Sequence, residues 1–247
     1  MDKLAECGCR AIAFSGGGEP LLHPNIEEAM EYIHRKGMQI AMTTNGLLLP
    51  EYADLTKYLT WCRISFSDWR ILNDAEELSP ILKRPVDWGF NYVYGLKPRI
   101  KEIRKLIEFG AQHNVVHIRV TTDYLQSKYV SVEKVRKAVN LEDVRVWWAP
   151  KKVSTHGAEK CWLSLLKPII AADGYVYPCC GANIRSLENP SYYFDEQSRM
   201  KYPATEIDRI YREQAYFDGS GCTRCFYNDY NRFLSLLQVR AAHEHFI

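Results

Sequence analysis

Four cysteines in the last third of the sequence have the spacing of a ligand set for iron or zinc. Cys161 and Cys179 flank an Asp-Gly dipeptide between two apolar runs, which is a strong β-hairpin signal. Cys222 and Cys225 form a C-x2-C pair that places two thiolates side by side. Four thiolates from a hairpin and a distant pair can close around an iron–sulfur cluster or a zinc ion, and spacing alone leaves both open.

A second group of chemically active residues follows the predicted strands. The run "AIAFSGGGEP" ends in three glycines and a carboxylate, and the later strands also end in polar residues. Ligands of parallel α/β proteins bind at the carboxyl ends of strands, so these side chains should converge on one cavity. A tight turn with capping hydroxyls is the alternative interpretation. The residues at these strand ends are Glu19, Thr43, Thr44, Asn45, Ser65, Ser67, Asp68, Arg119 and Asp123.

The elements that must position these groups alternate between strand and helix. Apolar residues at helical spacing alternate with short β-like runs, which predicts parallel strands joined by right-handed crossovers in an open α/β sheet or a partial barrel. The run 115–123 is the last clear strand of the series. The predicted strands are 10–15, 39–46, 62–68, 90–95 and 115–123, and the predicted helices are 25–37, 50–59, 99–114 and 132–139.

Composition restricts the class of protein. The net charge is +2 and the basic residues form no evident cluster, which argues against a nucleic-acid partner. No apolar run approaches the roughly 18 residues that span a bilayer, and no basic-then-apolar leader follows Met1. We therefore expect a soluble cytoplasmic protein without a membrane partner.

The segments "GGGEPLLHP", "TTNG" and "ISFSD" in this order resemble the radical S-adenosylmethionine (SAM) enzymes, over about residues 3 to 123. The resemblance implies a partial (β/α) barrel and SAM as a cofactor. It also implies roles for single residues. Gly17, Gly18 and Glu19 would hold the amino group of SAM, Thr44 and Asn45 would lie under it, Ser65 and Ser67 would face its ribose, and Arg119 would meet its carboxylate.

The sequence departs from this family at its N-terminal end. Family members bind a catalytic 4Fe–4S cluster through C-x3-C-x2-C, some tens of residues before the Gly-Gly-Glu loop. Only Cys7 and Cys9 precede Gly17 here, and we interpret them as small buried residues. We expect the first strand and the cluster loop to be absent, because an upstream part was removed or because the radical chemistry was lost.

The C-terminal cysteines resemble the twitch or SPASM extension of the same enzymes. The resemblance implies that Cys161, Cys179, Cys222 and Cys225 bind one auxiliary 4Fe–4S cluster, and it favours iron–sulfur over zinc. We expect adjacent Cys180 to be a bystander.

The predicted fold is therefore α/β: a partial barrel of radical SAM type missing its first strand, residues 1–150, and a small twitch-like iron–sulfur domain, residues 151–247. The implied function is hydrogen abstraction from an unidentified peptide or small molecule, with a flavodoxin or ferredoxin as reductase. No catalytic residue is identified. The alternatives are a non-catalytic iron–sulfur or SAM-fold binding module and a zinc-stabilised interaction domain.

Overall fold

The computed structural model describes residues 1–16, 18–66, 75–113, 115–123, 130–150, 153–182 and 196–237. The chain divides into two compact units. The first comprises residues 8–151, and the second joins residues 2–7 to residues 152–247.

The first unit is built on six parallel strands whose order in the sheet is their order in the chain. The strands are β1 (Ala11–Phe14), β2 (Gln39–Thr44), β3 (Leu59–Ser65), β4 (Asp87–Tyr94), β5 (His117–Thr122) and β6 (Val146–Ala149). The helices of this unit are α2 (Ile26–Arg35), α3 (Ala75–Leu82), α4 (Ile100–Gln112) and α5 (Val132–Val139). This confirms the predicted α/β class with a parallel sheet.

One face of the sheet forms the core with the helices. Right-handed crossovers between strands in sequential order all fall on the same side of a sheet. Ile64, Phe90 and Ile118 on this face are fully buried. Helix α4 packs closely here, because a Cβ at Gly110 would lie 2.7 Å from Cδ1 of Ile118. The opposite face therefore carries the residues of alternate register, many of them polar.

Two predicted elements differ from the structure. The segment 50–59, predicted as a helix, contains a 3-10 helix at Ala53–Tyr58, where the Thr56 hydroxyl donates to the Ala53 carbonyl (2.6 Å). Such local bonds compete with a regular α-helix. The sheet also continues past the last predicted strand to β6, which has only four residues and was too short to give a clear period.

The second unit contains short elements tied by hydrogen bonds. Its helices are α1 (Asp2–Glu6), α6 (Leu163–Leu166), α7 (Ile207–Arg212) and α8 (Asn228–Leu237), and its strands are β7 (Ile169–Ile170) and β8 (Val176–Tyr177). The two strands form the antiparallel hairpin predicted from the Asp173-Gly174 signal. Asp173 accepts from the backbone N–H of Tyr175 (3.0 Å) and the hydroxyl of Tyr177 (2.6 Å).

Helix α1 belongs to this second unit through Lys3. Its ammonium group donates to the carbonyl of Thr205 (2.6 Å) and pairs with Asp208 (2.9 Å). Across the described ranges of both units, no helix combines the length and hydrophobicity of a membrane span.

Candidate functional site

The carboxylate of Glu19 is held at the carboxyl end of β2 by three hydrogen bonds. Its Oε1 accepts from the hydroxyl of Thr44 (2.7 Å) and the backbone N–H of Leu21 (3.2 Å), and its Oε2 accepts from the backbone N–H of Asn45 (2.7 Å). A carboxylate offers about four acceptor sites, so one site on Oε2 stays available to a further donor. The side chain is oriented before any ligand arrives.

The Asn45-Gly46 turn at the end of β2 positions the Thr44 hydroxyl and the Asn45 N–H that donate to Glu19. Gly46 has φ +84°, and a Cβ there would lie 2.9 Å from Cγ2 of Ile64, so this position requires glycine. The backbone N–H of Gly46 donates to the Thr44 hydroxyl (3.0 Å), and that of Leu47 donates to Oδ1 of Asn45 (2.9 Å). The Thr44 hydroxyl thereby accepts from the turn and donates to Glu19.

A polar row crosses the sheet on the face opposite the helices. Ser65 on β3 is in register with Asn91 on β4, which is in register with Arg119 on β5. Residues in register on parallel strands project from the same face. The guanidinium Cζ of Arg119 lies 5.4 Å from the centroid of the Trp147 ring, where a cation–π contact forms. This row places Ser65 and Arg119 on one surface, two strands apart.

Asn91 is the member of this row that sequence reasoning missed. It is only 7% exposed, and its Oδ1 has no hydrogen-bond partner within the described part of the chain. A buried amide oxygen without a partner costs free energy, so such an atom indicates a place for a ligand donor. The available signal was a lone amide inside the otherwise apolar run of β4.

The structure thus joins Glu19, Thr44 and Asn45 directly. Gly18 precedes Glu19 in the loop, and within the described ranges a Cβ there would meet no atom beyond its chain neighbours within 4 Å. The pairing of Thr44 with Ile64 makes Asn45 and Ser65 the next residues along neighbouring strands. Gly17 and Ser67, together with Asp68, lie outside the described residues.

The four C-terminal cysteines line one cavity of the second unit. The empty space is about 460 Å³, including some that opens to solvent. Aromatic rings and glycines form much of the remaining wall, and Cys161 itself is 9% exposed. The lining residues that matter here are Cys161, Cys179, Cys222, Cys225, Phe217 and Phe226.

Backbone contacts bring these cysteines together from distant parts of the sequence. The N–H of Cys161 donates to the carbonyl of Phe217 (3.0 Å), and Cys225 exchanges two backbone hydrogen bonds with Ser154 (2.8 Å each). Gly157 is essential to this approach, because a Cβ there would lie 2.1 Å from the carbonyl oxygen of Gly219 and would force the two segments apart.

Burial makes thiols of this cavity reluctant to ionise. It raises the pKa of Cys179 to about 12, and the neighbouring charges of Cys180, Cys161 and Cys225 add to the rise. The pKa of Cys225 is raised as well, first by burial and then by Cys161. Thiolates that oppose one another in this way need a cation to hold them ionised together.

A buried amide donates to one of the sulfurs. Nδ2 of Asn231 lies 3.6 Å from Sγ of Cys161, while its Oδ1 accepts from the backbone N–H of Leu163 (3.1 Å). Because that N–H is a donor, the amide orientation is determined and its NH₂ must face the sulfur. Asn231 is 1% exposed, and sequence reasoning missed it because it lies on α8, far along the chain from Cys161.

The cysteine beside this set has a different environment. Cys180 is exposed, and its sulfur lies 2.9 Å from the hydroxyl of Tyr227.

No three His, Cys, Asp or Glu side chains within the described ranges gather closely enough to hold a single metal ion.

Comparison with known proteins relates the N-terminal part to one family. Residues 1–67 match the family described as Radical SAM superfamily. These residues are related to the radical SAM superfamily. They include the Glu19 carboxylate and the Asn45-Gly46 turn. A probable GTP 3′,8-cyclase of Methanococcus maripaludis is 35% identical over 111 residues, which is 44% of this chain and 33% of the relative. The chain thus spans about a third of the length of that curated relative.

One solved structure aligns with most of the chain. The crystal structure of Streptococcus suis SuiB bound to S-adenosylmethionine covers 90% of this chain and 67% of that chain, with 13% identity and a TM-score of 0.54. At this identity the similarity concerns the fold alone, an α/β fold with a parallel sheet.

The strand-end residues fit the SAM cofactor that this family uses. The remaining acceptor site on Glu19 suits an ammonium group, because a charged N–H forms a short and strong bond to a carboxylate. Asn91 offers a buried amide oxygen, and Arg119 offers donors for a carboxylate.

Proposed function

We propose that this chain binds SAM at the carboxyl ends of β2 to β5 and holds an auxiliary 4Fe–4S cluster between its four C-terminal cysteines, as part of a radical SAM enzyme. The observation that carries the first half is the Glu19 carboxylate, which Thr44 and Asn45 orient with one acceptor site left. It lies within the residues that match the family.

The residues of this chain would position SAM and leave the radical chemistry to the cofactors. Glu19 binds the amino group, Ser65 and Asn91 bind the ribose, and Arg119 binds the carboxylate. Gly17, Gly18 and Ser67 keep the roles that the resemblance assigns to them. Bound SAM would supply the radical chemistry that the resemblance implies. The 247 residues contain no C-x3-C-x2-C motif, so SAM binding is the activity to test on this chain.

The cysteine cavity supports a cluster better than it supports zinc. Four thiolates on a tetrahedral zinc ion at about 2.3 Å stand only about 3.8 Å from one another. The side chains here surround a cavity and do not converge on one point. A cubane cluster keeps its ligands further apart around a larger body, and four thiolates complete its coordination. We propose that Cys161, Cys179, Cys222 and Cys225 are these ligands in a twitch-like domain.

Calorimetry with SAM tests the first half of the proposal. Wild-type protein should bind SAM, and Glu19→Gln should weaken the binding at least tenfold, because the variant replaces the charged acceptor by a neutral amide. Glu28→Gln is the matched control, since Glu28 is exposed on α2. Failure of the wild-type chain to bind SAM at millimolar concentration would contradict the proposal.

A further inference from the structure

A notch without a side chain lies next to the polar row, on the same face of the sheet. Gly89 of β4 is in register with Arg63 on β3 and with His117 on β5. These three residues lie two positions before Ser65, Asn91 and Arg119 on their strands, so they form a parallel row about 6.6 Å toward the amino ends. We call the space above Gly89, between Arg63 and His117, the Gly89 notch.

One wall of the notch comes from β3. The guanidinium of Arg63 lies 5.3 Å from the ring centroid of Trp61 and 3.5 Å from the hydroxyl of Thr43. The indole leans over the floor, because its Nε1 is 3.7 Å from the point that a Cβ of Gly89 would occupy. Trp61 and Arg63 therefore bring N–H donors to this side of the notch.

The other wall comes from β5 and β6. The ring of His117 lies 6.1 Å from that of Trp147, and Arg119 reaches over the same indole from the next row. Strands stand about 4.8 Å apart, so the two walls are about 9.6 Å apart at the backbone. Arg63 and His117 are both only partly buried, so a small group that reaches this face can contact the two walls together.

The electrostatics of the notch favour an anion. The pKa of His117 is lowered, first by burial and then by the charges of Arg63 and Arg119. Both guanidinium groups thus raise the potential at one imidazole, and a bound anion would reverse that effect.

We propose that the Gly89 notch binds a phosphate group of the substrate, so that the substrate lies on this face beside the SAM row. This inference rests on the proposed function and adds the substrate class, a phosphorylated small molecule. Donors come from two opposite walls, which matches a tetrahedral anion with oxygens on all sides. A carboxylate presents both oxygens on one side and would use only one wall.

Calorimetry with inorganic pyrophosphate tests whether the notch binds phosphate. The salt concentration is about 0.15 M, which is close to physiological ionic strength. Gly89→Val should weaken binding at least tenfold although the net charge is unchanged, and Arg63→Gln should do the same by removing a donor. Arg136→Gln should have no effect, since Arg136 lies on α5 and pairs with Glu142 (3.0 Å), outside the notch. Unchanged binding in Gly89→Val would overturn the proposal.

Two controls distinguish loss of phosphate binding from misfolding and from binding of carboxylates. Gly89→Ala places its Cβ 3.4 Å from the His117 carbonyl, an ordinary contact, so it should fold and still weaken binding. Succinate should bind at least tenfold more weakly than pyrophosphate, and equal binding would assign the notch to carboxylates and overturn the phosphate assignment.

SAM calorimetry on the same variants separates this inference from the proposed function. Arg63→Gln should keep SAM affinity within about threefold. A wild-type chain that binds pyrophosphate but no SAM would refute the proposed function and leave the notch standing. A chain that binds SAM but no pyrophosphate would refute the notch alone.

Discussion

The strand-end site and the cysteine cavity differ in how the negative charge of their ligand groups is stabilised. At the strand ends, donors from the backbone and from Thr44 hold the Glu19 carboxylate in place, so the protein itself stabilises the charge. In the cavity, backbone N–H groups also donate to Cys179 and Cys225, but burial and mutual repulsion outweigh them and raise the pKa of both thiols, so the charged form needs an external cation. The fold therefore positions the first site before a ligand binds, whereas a cluster bound at the second site would stabilise the fold around it.

The secondary structure of the two units agrees with this difference. The first unit buries a continuous apolar face under helices of up to 13 residues. The second has strands of two residues and a helix of four around its cysteines. Short elements contribute little core, and a bound cluster can supply the missing stability. Loss of a cysteine should therefore be far more damaging than loss of an oxygen ligand.

The largest expected effect is that of Cys222→Ala. Anaerobically reconstituted wild-type protein should hold about four irons per chain. The variant should lose nearly all of this iron and lower the melting temperature of the second unit, because three thiolates cannot close the cavity around a cluster. Iron analysis and thermal denaturation measure both effects.

Cys180→Ala is the matched control for that experiment. Its sulfur contacts the Tyr227 hydroxyl instead of the shared cavity, so this variant should keep its iron. Stoichiometric zinc without iron in the reconstituted wild type would show that the cavity binds a different metal.

A smaller effect is expected from Thr44→Val at the strand-end site. Valine keeps the shape of this buried side chain but removes the hydroxyl that orients Glu19. One hydrogen bond is worth about 1 kcal/mol, so SAM affinity should fall about fivefold. Thr60→Val, at an exposed position on β3, should leave calorimetric SAM affinity unchanged. Equal effects of the two variants would mean that Thr44 does not orient the site.

The sequence predicted the parts of the molecule that local patterns determine. The crossovers of the sheet follow from periodicity, and the hairpin follows from Asp173-Gly174, because each depends on residues close together in the chain. Asn91 and Asn231 could not be predicted this way. Asn91 matters because of its register with residues on neighbouring strands. Asn231 matters because it contacts Cys161, which is 70 residues away in the chain. Neither relation lies within a short window of sequence.

The smallest expected effect is a shift in the reduction potential of the bound cluster when Asn231 is replaced. Its NH₂ faces Sγ of Cys161, and a donor to a ligand sulfur stabilises the more negative, reduced form of a cluster. Asn231→Leu should therefore lower the reduction potential. A weak bond of about 0.5–1 kcal/mol corresponds to about 20–40 mV for one electron.

Protein-film voltammetry on reconstituted protein measures this shift, with iron content checked first. Asn228→Leu is the control, because Asn228 lies on the same helix and its side-chain amide donates to Ser154 and not to a sulfur. A purely structural role for Asn231 would reduce iron content and leave the potential of the remaining clusters unchanged. A shift toward positive potential at full iron content would contradict the assigned direction of the hydrogen bond.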